Sequence, residues 1–140
     1  MPGALRASFP GVEVVKTEFD GLLLLRRAVH TDERGTFDVV CNSAELCAAG
    51  IKEDFVQDNL ITTRRGVLRG MHYQSRRPQG KLATVIEGEV YDAAVDLRPG
   101  SPTFGKSWGM VLRAGGRESL WLPPGFAHGF LALSDRVVYL

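Results

Sequence analysis

Residues 89–97 read E-V-Y-D-A-A-V-D-L, and their alternation is the strongest structural signal in the chain. Successive side chains of a β-strand point to opposite faces, so a period-two pattern indicates a strand with one buried face. One face carries Tyr91, Ala93, Val95 and Leu97, and the other carries Val90, Asp92, Ala94 and Asp96. Residues 106–113 contain a second alternating set, formed by Trp108, Met110 and Leu112. These segments predict two strands joined by a turn at residues 99–102.

Strand-sized segments separated by polar or Gly/Pro breaks continue on both sides of this pair. The predicted strands are 12–17, 22–27, 36–40, 55–60, 66–73, 81–87, 89–97, 106–113, 119–123, 130–133 and 137–140. A polar turn is predicted at residues 30–35. Asn42 as N-cap, Glu45 as its capping-box partner and Gly50 as the stop predict one short helix. We therefore expect an all-β double-sheet sandwich or barrel with one or two short peripheral helices.

The composition limits the classes of function. A chain of 140 residues suits one domain, here residues 1–140, with a single core. Its 17 basic and 16 acidic residues leave a net charge of +1, so we expect neither a nucleic-acid partner nor an anionic membrane surface. No apolar run approaches the roughly 20 residues that span a bilayer. With no secretory signal, the expected location is the cytoplasm.

Residues 66–81 concentrate the candidate chemistry in the sequence G-V-L-R-G-M-H-Y-Q-S-R-R-P-Q-G-K. A strand needs neither Arg69 nor His72 for packing, and Lys81 opens the next predicted strand. A neutral imidazole suits abstraction of a proton beside a carbonyl, and a lysine can stabilise the enolate that forms. A hydrogen-bonded structural histidine is the alternative for His72 and for His128. Strict alternation would point Arg69 and His72 apart, so we predict a bulge at Gly70.

Two further sets of charged residues leave alternatives open. Asp92 and Asp96 are either on a solvated edge face, or one of them orients His72 or His128. Arg34, in the turn, could act with Arg69 as a clamp on a diphosphate, because guanidinium groups match phosphate oxygens.

The segment beginning at His72 and the later P-x-G-x-x-H segment ending at His128 are similar to the two motifs of the cupin family. Metal-binding cupins supply two histidines and a glutamate from the first motif. Gln74 stands here in place of the second histidine, and no glutamate lies between Gln74 and Lys81. Cys41 and Cys47 do not have zinc-site spacing. We expect a pocket without metal or other cofactor.

Seven segments together resemble the dTDP-4-dehydrorhamnose 3,5-epimerase family of nucleotide-deoxysugar enzymes. They are D-E-R-G (32–35), F-V-Q-D-N (55–59), G-V-L-R-G-M-H-Y-Q (66–74), Q-G-K (79–81), G-E-V-Y-D-A-A-V-D (88–96), S-P-T-F-G (101–105) and L-P-P-G-F-A-H-G-F (122–130). The resemblance implies a cupin-type jelly roll and a homodimer without metal or nicotinamide. The implied substrate is a dTDP-4-keto-6-deoxyhexose, epimerised beside its ketone in rhamnose or other deoxysugar biosynthesis.

The resemblance also implies roles for individual residues. His72 matches the catalytic base, and Lys81 matches the lysine near the C4 oxygen. Positions that contact the substrate match Arg34, Phe37, Gln57, Asn59, Arg69 and His128. Asp92 remains a candidate for orienting a histidine.

Three departures from the family pattern accompany these matches. Val39 stands where the family has an acidic residue. The family's catalytic tyrosine falls one residue past Leu140, and Tyr139 would replace it only after a two-residue slip. The family's C-terminal part, with a second tyrosine and an aspartate for the catalytic histidine, is not in this sequence. Inversion at C3, C5 or both, a ketoisomerase and a catalytically silent sugar-nucleotide binder therefore stay open.

Overall fold

A computed structural model describes residues 7–9 and 11–140 of the chain. Within these residues the chain forms thirteen strands and one helix. Their bounds are β1 Ala7–Phe9, β2 Val12–Lys16, β3 Leu23–Arg27, β4 Val29–Asp32, β5 Gly35–Asp38, α1 Ser43–Ala48, β6 Ile61–Arg64, β7 Leu68–His72, β8 Lys81–Glu87, β9 Glu89–Asp96, β10 Ser107–Arg113, β11 Glu118–Leu122, β12 Phe126–Ala132 and β13 Arg136–Tyr139.

Two antiparallel sheets make up the body of the protein. The seven-stranded sheet has the order β1-β2-β3-β11-β8-β13-β6, and the four-stranded sheet has the order β10-β9-β12-β7. Within the part of the chain that the structure describes, strands β4 and β5 form a separate two-stranded sheet, a hairpin. The core contains apolar side chains from both sheets, among them Leu22, Leu24, Val85, Val90, Leu112, Leu120, Phe130 and Val137. The predicted all-β, cupin-type double-sheet fold is confirmed.

The alternation in β9 determines which face of the four-stranded sheet is buried. Val90, Asp92, Ala94 and Asp96 are each fully buried, whereas Tyr91 is 45% exposed. The interpretation of Asp92 and Asp96 as a solvated edge face is wrong. The inner face of β9 packs against the seven-stranded sheet, since Val90 and Ala94 share one core cluster with Val85 and Leu120, so both carboxylates are interior groups.

A second, smaller layer covers the outer face of the seven-stranded sheet. Helix α1 begins where the Asn42 side chain accepts hydrogen bonds from the backbone of Ala44 and Glu45. It packs Leu46 into a cluster with Val14, Leu25, Ile51 and Trp121. The predicted helix, with its N-cap, is confirmed.

Most predicted strand boundaries differ from the structure by one or two residues, and three differences are larger. Residues 55–60 form no strand; the strand begins instead at Ile61. No strand among the described residues pairs with this segment, and Val56 and Leu60 are 92% and 68% exposed. The predicted turn at residues 30–35 is the tip of the β4–β5 hairpin with parts of both strands, and β12 begins at Phe126, four residues earlier than predicted. Among the described residues no helix is long and apolar enough to cross a membrane.

Candidate functional site

A cavity of about 1050 Å³ opens beside β7, β8 and β12. The irregular segment 53–59 forms one of its walls. Six of the predicted site residues line it: Gln57, Asn59, Arg69, His72, Lys81 and His128. These residues are separated by up to 71 positions in sequence, so the fold brings them together.

The predicted bulge in β7 is confirmed. His72 pairs with His128 and Arg69 pairs with Phe130, so β7 uses one more residue than β12 over this stretch. Gly70, at the bulge, has φ +112°, and a Cβ there would lie 2.6 Å from the Gly129 Cα. Only glycine fits this close approach and this backbone angle without strain. The bulge allows both Arg69 and His72 to line the cavity.

His128 is held by an interior carboxylate. Its Nε2 lies 2.8 Å from Asp92 Oδ1, and the Tyr139 hydroxyl donates a short hydrogen bond to Asp92 Oδ2. Tyr139 also stacks on Phe130, with ring centroids 4.3 Å apart. Burial, together with the Asp92 charge, raises the pKa of Tyr139 well above its usual value. The phenol therefore stays protonated as a hydrogen-bond donor.

The two interior aspartates of β9 have different partners. The sequence left open which aspartate faces a histidine, and the structure pairs Asp92 with His128. Asp96 instead accepts hydrogen bonds from Arg98, Ser101 and Thr103. Asp96 thus anchors the loop between β9 and β10.

Lys81 is the half-buried cation of the cavity. It begins β8, and burial lowers the pKa of its ammonium group from the ordinary value of 10.5. A partly desolvated ammonium interacts more strongly with a developing negative charge than one in bulk water, because the surrounding dielectric is lower.

Other polar side chains line the same cavity. Gln57 Nε2 donates to Asn59 Oδ1 at 2.8 Å, which leaves the Gln57 carbonyl and the Asn59 amide free to bind another molecule. Arg69 Nε donates to Thr63 Oγ1 at 3.2 Å, so its remaining N–H groups can serve an anion.

Arg34 and Phe37 lie on the β4–β5 hairpin, and neither lines the cavity. The Arg34 side chain is 85% exposed and its Nη2 lies 2.5 Å from Asp32 Oδ2. Phe37 is 67% exposed. Within a single chain the structure does not bring these two predicted substrate contacts to the other six.

Sequence reasoning missed the part that Tyr139 plays with Asp92. The sequence alone suggests Tyr139 only as a proton donor, and only after a two-residue slip in the alignment. The signal that could have revealed its position is the period-two geometry of a strand, which places Tyr139 on the same face as Val137; both belong to the core cluster between the sheets. Among residues 7–9 and 11–140, no three His, Cys, Asp or Glu side chains cluster so as to hold a metal ion.

Comparison with known proteins identifies relatives over most of the chain. The dTDP-4-dehydrorhamnose 3,5-epimerase family model matches residues 16–140. The enzyme of that name from Methanothermobacter thermautotrophicus is 48% identical over 89% of this chain and 67% of its own length. The Neisseria gonorrhoeae relative is 45% identical over 91% of this chain and 40% of its own length.

Solved structures give the same relationship. The structure of dTDP-6-deoxy-D-glucose-3,5-epimerase from Legionella pneumophila, in complex with dTDP-4-keto-L-rhamnose, superposes with a TM-score of 0.88 and 43% identity. The match covers 91% of this chain and 69% of the Legionella chain. This chain thus spans between two fifths and about two thirds of the length of these three relatives. On the family match and these identities, the chain belongs to the dTDP-4-dehydrorhamnose 3,5-epimerase family.

Proposed function

We propose that the chain epimerises a dTDP-4-keto-6-deoxyhexose, dTDP-4-dehydro-6-deoxyglucose, at C3, C5 or both. The observation that carries the proposal is the presence of His72 and of the half-buried Lys81 in one cavity. A base and a cation are the two groups that enolate chemistry beside a ketone requires. The Legionella relative holds dTDP-4-keto-L-rhamnose, a sugar nucleotide of the same class.

In the proposed reaction, His72 removes the proton from a carbon next to the C4 ketone. The electron pair of the broken C–H bond forms the C=C bond of an enolate, and the carbonyl electrons move to the C4 oxygen. Lys81 stabilises that oxygen anion. A proton added to the opposite face of the same carbon restores the ketone with inverted configuration, so no oxidant or cofactor enters the balance.

The returning proton is proposed to come from β13 or its continuation. Tyr139 points to the interior, and its hydroxyl is already bound to Asp92. We therefore assign Tyr139 to holding Asp92 and His128. The resemblance implies that the donor is a tyrosine one position beyond Leu140. Because side chains alternate along a strand, that position would share a face with Tyr139.

Substrate binding is proposed for the polar residues around the base. Arg69 suits the diphosphate, because a guanidinium group forms paired hydrogen bonds with phosphate oxygens. Gln57, Asn59 and His128 offer polar contacts to the sugar and the nucleotide.

Arg34 and Phe37 are proposed to contact the nucleotide from a partner subunit. Both are exposed on a hairpin that lies outside their own chain's cavity. A homodimer in which each hairpin reaches the neighbouring cavity reconciles their exposure with a binding role. A cytoplasmic location stays a prediction of the sequence.

A second candidate is a ketoisomerase that moves the carbonyl with a pair of histidines. The observation in its favour is that His72 and His128 are direct cross-strand partners. Against it, Asp92 holds the Nε2 of His128, which leaves only its Nδ1 to accept a proton.

Solvent deuterium exchange tests the proposed function. The protein is incubated with dTDP-4-dehydro-6-deoxyglucose in D₂O, and the carbons beside the ketone are followed by NMR. A double epimerase exchanges both positions and a single epimerase exchanges one, each with an inverted product. A product whose carbonyl has moved identifies the ketoisomerase, and binding without exchange identifies a silent cupin and overturns the proposal.

A further inference from the structure

Arg27, the last residue of β3, is a buried arginine to which no step of the proposed reaction assigns a role. It is only 9% exposed. Its Nε donates to Asp38 Oδ1 at 3.0 Å and its Nη2 to Asp38 Oδ2 at 2.9 Å. Its Nη1 donates a short hydrogen bond to Ser119 Oγ, and Ser119 Oγ lies 2.6 Å from Thr84 Oγ1. Each of the three guanidinium nitrogens therefore donates a hydrogen bond within the protein.

Asp38 is the last residue of β5, where the hairpin rejoins the body of the protein. The hairpin is a separate two-stranded sheet, and all four residues of β5 are exposed. The fork of two hydrogen bonds to Arg27 therefore fixes the base of the hairpin against the outer face of the seven-stranded sheet, where Ser119 and Thr84 lie on β11 and β8.

Stability alone does not explain an ion pair at this place, in which the Arg27 side chain is 7% exposed and the Asp38 side chain 31% exposed. Arg27 borders a small gap whose lining is mostly apolar, with Val12, Leu25 and Leu82 among its residues, although Asn42, Glu45 and Ser119 also line it. In such sites well-packed apolar side chains often stabilise a protein as much as an ion pair does, because charged groups lose their hydration. A bidentate pair supplies something that apolar contacts lack, which is a defined angle between the two groups.

We propose that Arg27 is a positioning residue: its bidentate pair with Asp38 sets the direction in which the β4–β5 hairpin presents Arg34 and Phe37 to the sugar nucleotide. This inference rests on the proposed function, in which those two residues contact the nucleotide. Val39 stands where the resemblance leads one to expect an acidic residue. The carboxylate that precedes it, Asp38, is turned back to Arg27 and holds the hairpin.

The geometry of a hairpin amplifies a small change at its base. Arg34 lies four residues from Asp38, or about 13 Å along an extended strand. A tilt of about 20° at Asp38 would move the tip by roughly 4 to 5 Å, which is beyond the reach of a hydrogen bond. Loss of the pair should therefore weaken nucleotide binding without disturbing His72 or Lys81.

The test compares the double variant Arg27→Met/Asp38→Leu with Arg26→Gln. The control removes the neighbouring arginine of the same strand, whose partner is Glu118 rather than the hairpin. We expect faster amide hydrogen exchange across residues 29–38 in the double variant. We also expect a KM raised about tenfold or more with kcat within about threefold of wild type. Asp38→Asn, which keeps the shape of the side chain, should give smaller changes in the same direction and serves if the double variant does not fold.

The outcomes separate this inference from the proposed function. Unchanged hairpin exchange, or faster exchange with an unchanged KM, overturns the positioning role. A fall in kcat at constant KM also overturns it, because it would mean that the pair supports the base or the lysine. Absence of turnover in the wild-type protein overturns the proposed function. The affinity for dTDP, measured by calorimetry on the same proteins, then decides the positioning role.

Discussion

His128 Nε2 lies 2.8 Å from the Asp92 carboxylate in the interior of the four-stranded sheet. A carboxylate only accepts hydrogen bonds, so this nitrogen carries the proton, and Nδ1 is the acceptor of the neutral ring. Tyr139 donates to the second oxygen of Asp92. One fully buried carboxylate is thus held by two donors, and it orients an imidazole at the wall of the cavity.

Asp92→Asn should destabilise the protein by about 1–3 kcal/mol, because an amide cannot accept from both donors and leaves one buried group unsatisfied. Tyr139→Phe is the matched variant, since it removes one donor and keeps the ring that packs on Phe130. We expect Tyr139→Phe to lower the free energy of unfolding by less than Asp92→Asn does. Denaturant unfolding measures both, and ¹⁵N NMR reports the tautomer of His128. Equal stability and an unchanged tautomer in Asp92→Asn would show that the carboxylate does not orient the ring.

His72→Asn should slow solvent exchange about 10²- to 10⁴-fold, the usual effect of removing a general base. Its melting temperature should stay near that of wild type, because His72 is exposed on the edge strand β7. Arg76→Gln is the control, since Arg76 is an exposed residue nearby that does not line the cavity. Near-normal exchange in a folded His72→Asn protein would remove His72 from the proposed mechanism.

Lys81 should give the reaction an alkaline limit below pH 10.5. Burial lowers the pKa of its ammonium group from that value, and only the charged form stabilises an enolate. Activity should therefore be present below the lowered pKa and should be lost as the pH rises through it. Lys81→Met should reduce kcat about 10²- to 10³-fold, as for loss of one oxyanion-stabilising group.

The pH profile of kcat in Lys81→Arg provides the control for this assignment. Arginine keeps its charge at every pH in the accessible range, so whatever activity the variant retains should lack the alkaline loss. The same alkaline limb in wild type and in Lys81→Arg would assign that limb to another group.

Asp96 should make a pH-dependent contribution to stability. Its hydrogen bond with Arg98, followed by those with Ser101 and Thr103, lowers the pKa of this carboxyl far below the ordinary 3.8. A lowered folded-state pKa contributes stability that is present above pH 3.8 and is lost as the pH falls below it toward the folded value. The difference in melting temperature between wild type and Asp96→Asn should thus be constant from pH 7 to pH 5 and shrink in stronger acid. A difference that grows on acidification would contradict the assignment.

Much of the fold was predictable because the alternation of side chains along a strand shows which residues share its buried face. In β9 the pattern of Val90, Asp92 and Ala94 indicated one face before any neighbour was known. The prediction of a strand at residues 55–60 was wrong because no alternation supported it. The apolar residues of this segment have the composition of a strand, but composition does not tell whether another strand is available to pair, and Val56 is 92% exposed.

The site was predictable where its residues are close in sequence. His72 and Lys81 are nine positions apart, and the bulge at Gly70 followed from the need to turn Arg69 and His72 to one cavity. The partners of Asp92 were not predictable from the sequence. One partner, His128, depends on the register between β9 and β12, in which His128 lies opposite Ala94. The other, Tyr139, comes from the other sheet. The sequence pattern around Phe37 also could not show that its hairpin forms a separate sheet outside the cavity.

Gly70→Ala should damage both stability and activity, whereas Gly100→Ala should damage neither strongly. Both glycines have positive φ, +112° and +79°, but a Cβ at Gly70 would meet the Gly129 Cα at 2.6 Å and the His128 oxygen at 2.7 Å, while Gly100 has open space. The control therefore carries only the backbone cost, about 1–2 kcal/mol. The clash at Gly70 should force β7 away from β12 and displace His72, so its kcat should fall by more than tenfold beyond the loss in Gly100→Ala. Unfolding curves and deuterium exchange measure the two effects. Equal losses in both variants would mean that the backbone angle alone, and not the close approach to β12, makes glycine necessary at the bulge.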